Sequence, residues 1–199
     1  MALTALTALT ALMDTYRLAQ DDLAAVLAAV PPDRWDAPSA CAEWTVRDVA
    51  GHLVWGQHQL LAWATGRPDP APTGAPGMPN PATMAGDEPF ATWQAARAAC
   101  DPTLTDPALA RTTTITGMGE VPVAAVVALL VTDVTTHTWD IAAGLDMPIK
   151  LDPELVAFAF EWARANVVRR PGFFGPELTP PAGADEQTRL LVYLGRAAS

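Results

Sequence analysis

The sequence predicts a mainly α-helical fold, a four-helix bundle with crossover connections. Three observations carry this. Alanine is abundant in a chain that is 50% apolar, a composition that leans to helix. Apolar residues recur at helical spacing in four main stretches. Strand formers are confined to few places, chiefly residues 111–122. The 199 residues suit one domain, expected to be a single helical bundle over 1–199.

The first helix is expected over residues 5–30, where Leu12, Tyr16, Leu23, Val26, Leu27 and Val30 share helical spacing. Its Ala-Leu-Thr repeats are low in complexity and lack the basic region of a secretory leader, so they read as a frayed or register-tolerant start. Pro31 and Pro32 end it. A linker with Trp35 and Cys41 leads to a second helix over 45–64. Thr45 with Asp48 resembles a capping box with Asp in place of Glu, and Gly66 with Pro68 stops the helix. Residues 66–89, rich in Pro, Gly, Ala and Thr, form a long loop, either a lid or a surface excursion. A third helix covers 90–100. A β-branched run from Arg111 to Thr116, a turn at Gly117 and Gly119, and Pro122 predict a small β-hairpin whose second strand is an edge. The fourth and most apolar helix runs over 123–143 and stops at Gly144. Asp152 caps a fifth helix to about residue 168, with Pro153 in its first position. A Pro/Gly loop with Arg169 and Arg170 follows. The last, short helix covers 185–195, with Leu190, Leu191 and Leu194 facing inward.

The formal net charge is -10. Such a chain repels phosphate backbones and anionic lipid, which argues against nucleic-acid and membrane partners; solubility is the simplest use of the charge. No stretch approaches eighteen uninterrupted apolar residues, so no membrane span is expected. Cys41 and Cys100 make no disulfide framework and fit a reduced, cytoplasmic setting.

The chemistry concentrates in two of the three histidines. Asp133 and His137 stand four apart in the most apolar helix, which puts both on one face. His52 lies in another apolar helical run. Metal-type side chains projecting inward from different helices are how a bundle builds a metal site. The competing reading is a satisfied polar core, with Asp133 bonded to His137 or to the hydroxyls of Thr132, Thr135 and Thr136. Spacing leaves both open. Two imidazoles and a carboxylate leave coordination positions free, as in catalytic zinc sites, and also suit nickel, iron or manganese. His58, six residues after His52, points about 120° away and is not expected as a ligand. Asp140 returns to within about 20° of the Asp133 stripe. It is either a partner for a ligand imidazole or, the reading its place near the helix end favours, an exposed acid. Trp55, one turn after His52, is placed to line a pocket; most of the seven tryptophans are expected in the core. Cys41 is expected to be a small buried residue rather than a nucleophile. No nucleophile elbow or phosphate-binding glycine loop competes.

The run from Ser39 to Leu53, with Cys41, Trp44-Thr45-Val46 and His52, resembles the signature of the DinB/YfiT-like metalloenzymes. It is closest to the branch of the mycothiol-dependent maleylpyruvate isomerase N-terminal domain. The segment from Asp133 through His137 to Trp139-Asp140 is similar to that branch's carboxylate-x-x-x-His-x-Trp-Asp motif. Phe174-Gly-Pro-Glu177 and Arg189 to Arg196 resemble a subgroup described only as metal-binding proteins.

The resemblance implies a four-helix bundle with a divalent metal, commonly zinc, on His52, Asp133 and His137. It also implies a low-molecular-weight thiol, mycothiol, acting as co-substrate toward a small electrophile. Asp133 stands where the branch usually has Glu, one methylene longer, so a metal must sit closer to the fourth helix or be held more weakly. The isomerase itself has a further C-terminal domain completing its active site, whereas this chain has a short tail, which argues against maleylpyruvate isomerisation as such. The expectation is therefore a metal-dependent thiol transferase or isomerase, monomer or homodimer. A metal-dependent hydrolase, or a non-catalytic metal-binding or interaction protein, is the alternative.

Overall fold

The computed structural model describes residues 2–115, 118–169 and 173–198. The expected hairpin turn at Thr116 and Gly117, and the arginine at Arg170, lie outside the described residues. The bundle is built from α1 (Ala2–Ala29), α2 (Val46–Thr65), α3 (Pro89–Cys100) and α5 (Val123–Gly144). These pack in a closed ring, α1 on α5, α5 on α2, α2 on α3 and α3 back on α1. Between α3 and α5 lie a one-turn helix, α4 (Asp106–Leu109), and the hairpin β1 (Thr112–Ile115) and β2 (Gly119–Pro122). The strands are antiparallel, pairing Thr112 with Pro122 and Ile115 with Gly119. α6 (Pro153–Asn166) packs on α5, and α7 (Glu186–Tyr193) packs on α6. The mainly helical fold class, with its hairpin and short last helix, is therefore the one observed.

Sequence explains where the elements start. At α2, Thr45 Oγ1 accepts from the Asp48 amide at 3.1 Å, while Asp48 accepts from the Thr45 amide at 3.0 Å. That is a working capping box despite the shorter acid. Gly66, with φ 71°, ends the helix in the left-handed region. Asp152 and Asp185 cap α6 and α7 through the amides of Glu154 and Thr188. The main core joins Tyr16, Leu23 and Leu27 of α1, Val49, Leu53 and Leu60 of α2, and Val127, Val131 and Ile141 of α5. Each such aliphatic side chain gains about 1.5–3 kcal/mol on leaving water. A second cluster joins Val156 and Phe160 of α6 to Leu190 and Leu194.

Two expectations gain detail here. α5 ends at Gly144, which is the last helical residue rather than the one after it, and Leu145 is the cap. Its role is contact, since a Cβ there would stand 2.6 Å from Ser39 Cα. The 38–41 segment thus lies against α5, and the Ala40 amide donates to the Asp140 carbonyl. Among the tryptophans, Trp35 and Trp93 are buried in the core, Trp44, Trp63, Trp139 and Trp162 are half-buried but packed against the apolar clusters, and Trp55 is half-buried.

Residues 66–88 are a loop with two 3-10 turns, Pro72–Gly74 and Pro81–Met84. Both turns sit against α2. Gly51 makes this possible, because a Cβ there would collide with the Pro81 carbonyl. A Cβ at Gly74 would collide with Trp55. No helix among the described residues is long and apolar enough to cross a membrane.

Candidate metal centre

α2 and α5 bring His52, Asp133 and His137 together. Their nearest donor atoms all lie within 4.8 Å of one another. Asp133 Oδ2 is 3.3 Å from His52 Nε2, and Asp133 Oδ1 is 3.6 Å from His137 Nε2. Both imidazoles are nearly inaccessible, whereas the Asp133 side chain keeps 19% exposure. The centre therefore meets solvent through the carboxylate.

Each ring is held from behind. His52 Nδ1 lies 2.7 Å from the Gly74 carbonyl, and His137 Nδ1 lies 2.9 Å from Asp140 Oδ2. Both partners are acceptors, so both Nδ1 atoms carry the proton. In the neutral imidazole, each Nε2 is then a lone pair facing a carboxylate oxygen. Lone pair against lone pair is repulsive unless a cation comes between them, either a proton on a ring or a metal ion. The donor set thus fits a divalent ion, and histidine ligands ordinarily have their second nitrogen tied in this way.

The polar-core alternative does not use the threonines. Thr136 Oγ1 donates to the Thr132 carbonyl. The hydroxyls of Thr132 and Thr135 are buried without a partner among the described residues. Asp133 is balanced by the imidazoles: burial pushes its carboxyl up, but the charges of His137 and His52 outweigh this and hold it at about 2. Burial likewise lowers His52, yet the charge and hydrogen bond of Asp133 and the Gly74 carbonyl raise it overall.

Asp140 is a correction to the exposed reading. It is fully buried and bound in two directions. One oxygen accepts from His137, and Arg196 clamps the carboxylate through Nε at 3.0 Å and Nη2 at 2.7 Å. Burial raises its carboxyl, but Arg196 and His137 more than reverse that. The same arginine lies 3.8 Å from Cys41 Sγ. Cys41, His137 and Asp140 also bring donor atoms within 4.8 Å of one another. There, however, the guanidinium already supplies the cation and Nδ1 carries its proton. Burial and Asp140 push the half-buried Cys41 thiol up to about 12, so it is not a nucleophile at neutral pH.

Trp44 lies against both histidines, with centroids 5.1 Å from His52 and 5.9 Å from His137. Trp55, expected to line the site, stacks on His52 at 6.1 Å. His58 is half-buried and joins neither donor group. Arg169 donates to the carbonyls of Gly175 and Tyr193. Sequence reasoning missed Arg196, and the only signal for it was its place in the terminal Leu-Gly-Arg motif.

Comparison with known proteins bears on the family and the fold. The family described as the mycothiol maleylpyruvate isomerase N-terminal domain matches residues 16–142, a span holding all three donors. An uncharacterized protein of Mycobacterium tuberculosis, Rv0738, is 35% identical over 185 residues, covering 91% of this chain and 95% of its own. A crystal structure of the mycothiol-dependent maleylpyruvate isomerase aligns with TM-score 0.56 and 18% identity, over 67% of this chain. This chain spans 60% of that protein's length. A histidine-to-alanine variant of the isomerase aligns with TM-score 0.62 and 15% identity, over 79% of this chain and 68% of its own. At such identities the likeness is one of fold.

Proposed function

Since the chain belongs to the mycothiol maleylpyruvate isomerase N-terminal domain family, we propose that it is a divalent-metal protein, zinc first, held by His52, Asp133 and His137. We further infer a thiol-dependent transferase or isomerase acting on a small electrophile, with a mycothiol-type thiol as co-substrate. The observation that carries the metal reading is the pair of imidazoles whose tied Nδ1 atoms leave both Nε2 lone pairs on one carboxylate. When bound, such an ion supplies Lewis acidity and keeps a coordinated thiol deprotonated.

The chain's own residues do the rest. Gly74 and Asp140 fix ring orientation and tautomer. Asp133 brings the negative charge and the solvent-facing edge. Trp44 and Trp55 wall His52 and shield it from water. Arg196 reaches Asp140 from near the C-terminus, which supports treating residues 1–199 as one unit.

Elemental analysis of freshly purified, untagged protein should find about one divalent ion per chain, lost in His52→Ala and in Asp133→Ala. Added zinc should raise the melting temperature of the metal-free form. No metal and no thermal shift would sink the reading. Turnover that needs no thiol would move the assignment to a metal-dependent hydrolase.

A further inference from the structure

On the α1 side of Asp133 lies a cavity of about 10 Å³ bordered by Tyr16, Gln20, Gln57 and Leu130, room for one water-sized group. Its polar wall is a relay of neutral donors. The Tyr16 hydroxyl donates to Gln57 Oε1 at 3.4 Å, and Gln57 Nε2 donates to Gln20 Oε1 at 2.9 Å. Gln20 is 1% exposed, yet its Nε2 has no partner among the described residues. A buried N–H without an acceptor is unfavourable, so the end of the relay calls for an oxygen.

Gly56 borders the same cavity. A glycine inside a helix weakens it relative to alanine. At Gly51 and Gly74, packing explains the glycine. At Gly56 it does not, because nothing beyond its own helix lies within 4 Å of where a Cβ would stand. Gly56 is half-exposed, and what the missing side chain leaves is open space at the edge of the cavity.

We propose that this cavity and the space at Gly56 form a subsite for the carbonyl oxygen of a small, neutral electrophile, with Gln20 Nε2 as its donor. Charge selects a neutral group: the wall offers amides and a hydroxyl but no cation, and Asp133 is negative. Leu53, Leu130 and Val134 form the apolar part of the wall, so the oxygen fills the cavity and the carbon skeleton extends into the space at Gly56. The subsite deepens the reading above, on which its part in turnover rests.

The test is a titration of ¹⁵N-labelled protein with acetone, zinc-loaded and zinc-free, with acetate as the charged comparison on the zinc-free form. Acetone should shift the Gln20 side-chain amide saturably, and acetate should not. Binding should weaken about tenfold or more in Gln20→Met and in Gly56→Ala, as expected for a lost hydrogen bond or a filled space. Gly56→Ala should melt no lower than wild type. No saturable shift with acetone, or equal binding in both variants, would overturn the proposal and leave the cavity to water. A Gly56→Ala protein that melts lower would overturn it by revealing a packing role. Zinc competition against a chromogenic chelator on the same samples reads the metal separately. If wild type fails to bind zinc, the metal reading falls, while the zinc-free titration still decides the cavity.

Discussion

His137 belongs to two donor clusters, one on each edge of its ring. On the Nε2 edge stand Asp133 and His52; on the Nδ1 edge stand Asp140 and Cys41. Both satisfy the distances of a metal group. Only the first has an unmet need for positive charge, because Arg196 already sits on Asp140 at 2.7 Å. Proximity of donors is thus a weak criterion. Which cation closes the local charge balance is the stronger one, and it separates a binding centre from the support that holds it.

The comparison breaks most readily at Arg196. Arg196→Met leaves the buried Asp140 uncompensated and should cost about 3–5 kcal/mol, read as a lowered denaturation midpoint. If stability is unchanged, the Nδ1 edge is not closed by this arginine. Next in size, Asp140→Asn should weaken zinc binding by about 10–100-fold while Asp133 stays in place. A chelator competition that finds no change would show that Asp140 does not orient His137.

Acidity sharpens the contrast further. In the metal-free protein the raised His52 contributes stability that is fully present below its ordinary value of 6.5 and is lost as pH rises through the raised one. Zinc needs the unprotonated ring, so its binding should strengthen over that same rise. Melting curves with and without zinc should therefore diverge with increasing pH; parallel curves would contradict the shared site. Asp133, depressed to about 2 against an ordinary 3.8, should lose its contribution only as pH falls between those values. The smallest effect is expected from Cys41→Ala, which should leave zinc stoichiometry and affinity unchanged within about twofold, since the thiol lies on the closed edge.

Much of this was legible in the chain itself. The long helices follow from periodic apolar residues, and the starts at Thr45, Asp152 and Asp185 from cap chemistry, because both are local. His52, Asp133 and His137 converge because two strongly apolar helices must pack inward. The contacts that orient the rings were not legible. Gly74 lies 22 residues from His52 and Arg196 lies 56 from Asp140, and no periodicity reports a partner across such distances. Asp140 shows the limit well: its angular position was right, but its burial depended on an arginine no local pattern announces. At Gly144 the end of the helix was legible, but the close approach of Ser39, distant in sequence, was not.

The seating of residues 66–88 on α2 has a consequence for descent. Gly51, Gly74 and Pro81 are distant in sequence but share one contact surface, on which the carbonyl that orients His52 depends. The Ala82 amide is tied to Asp48 beside it. Such a segment cannot drift in length as ordinary surface loops do. Among descendants of this chain, insertions should be inherited on either side of the span from Gly74 to Ala82 and purged within it, and a lineage that gives up Gly51 should also give up the turn at Pro81.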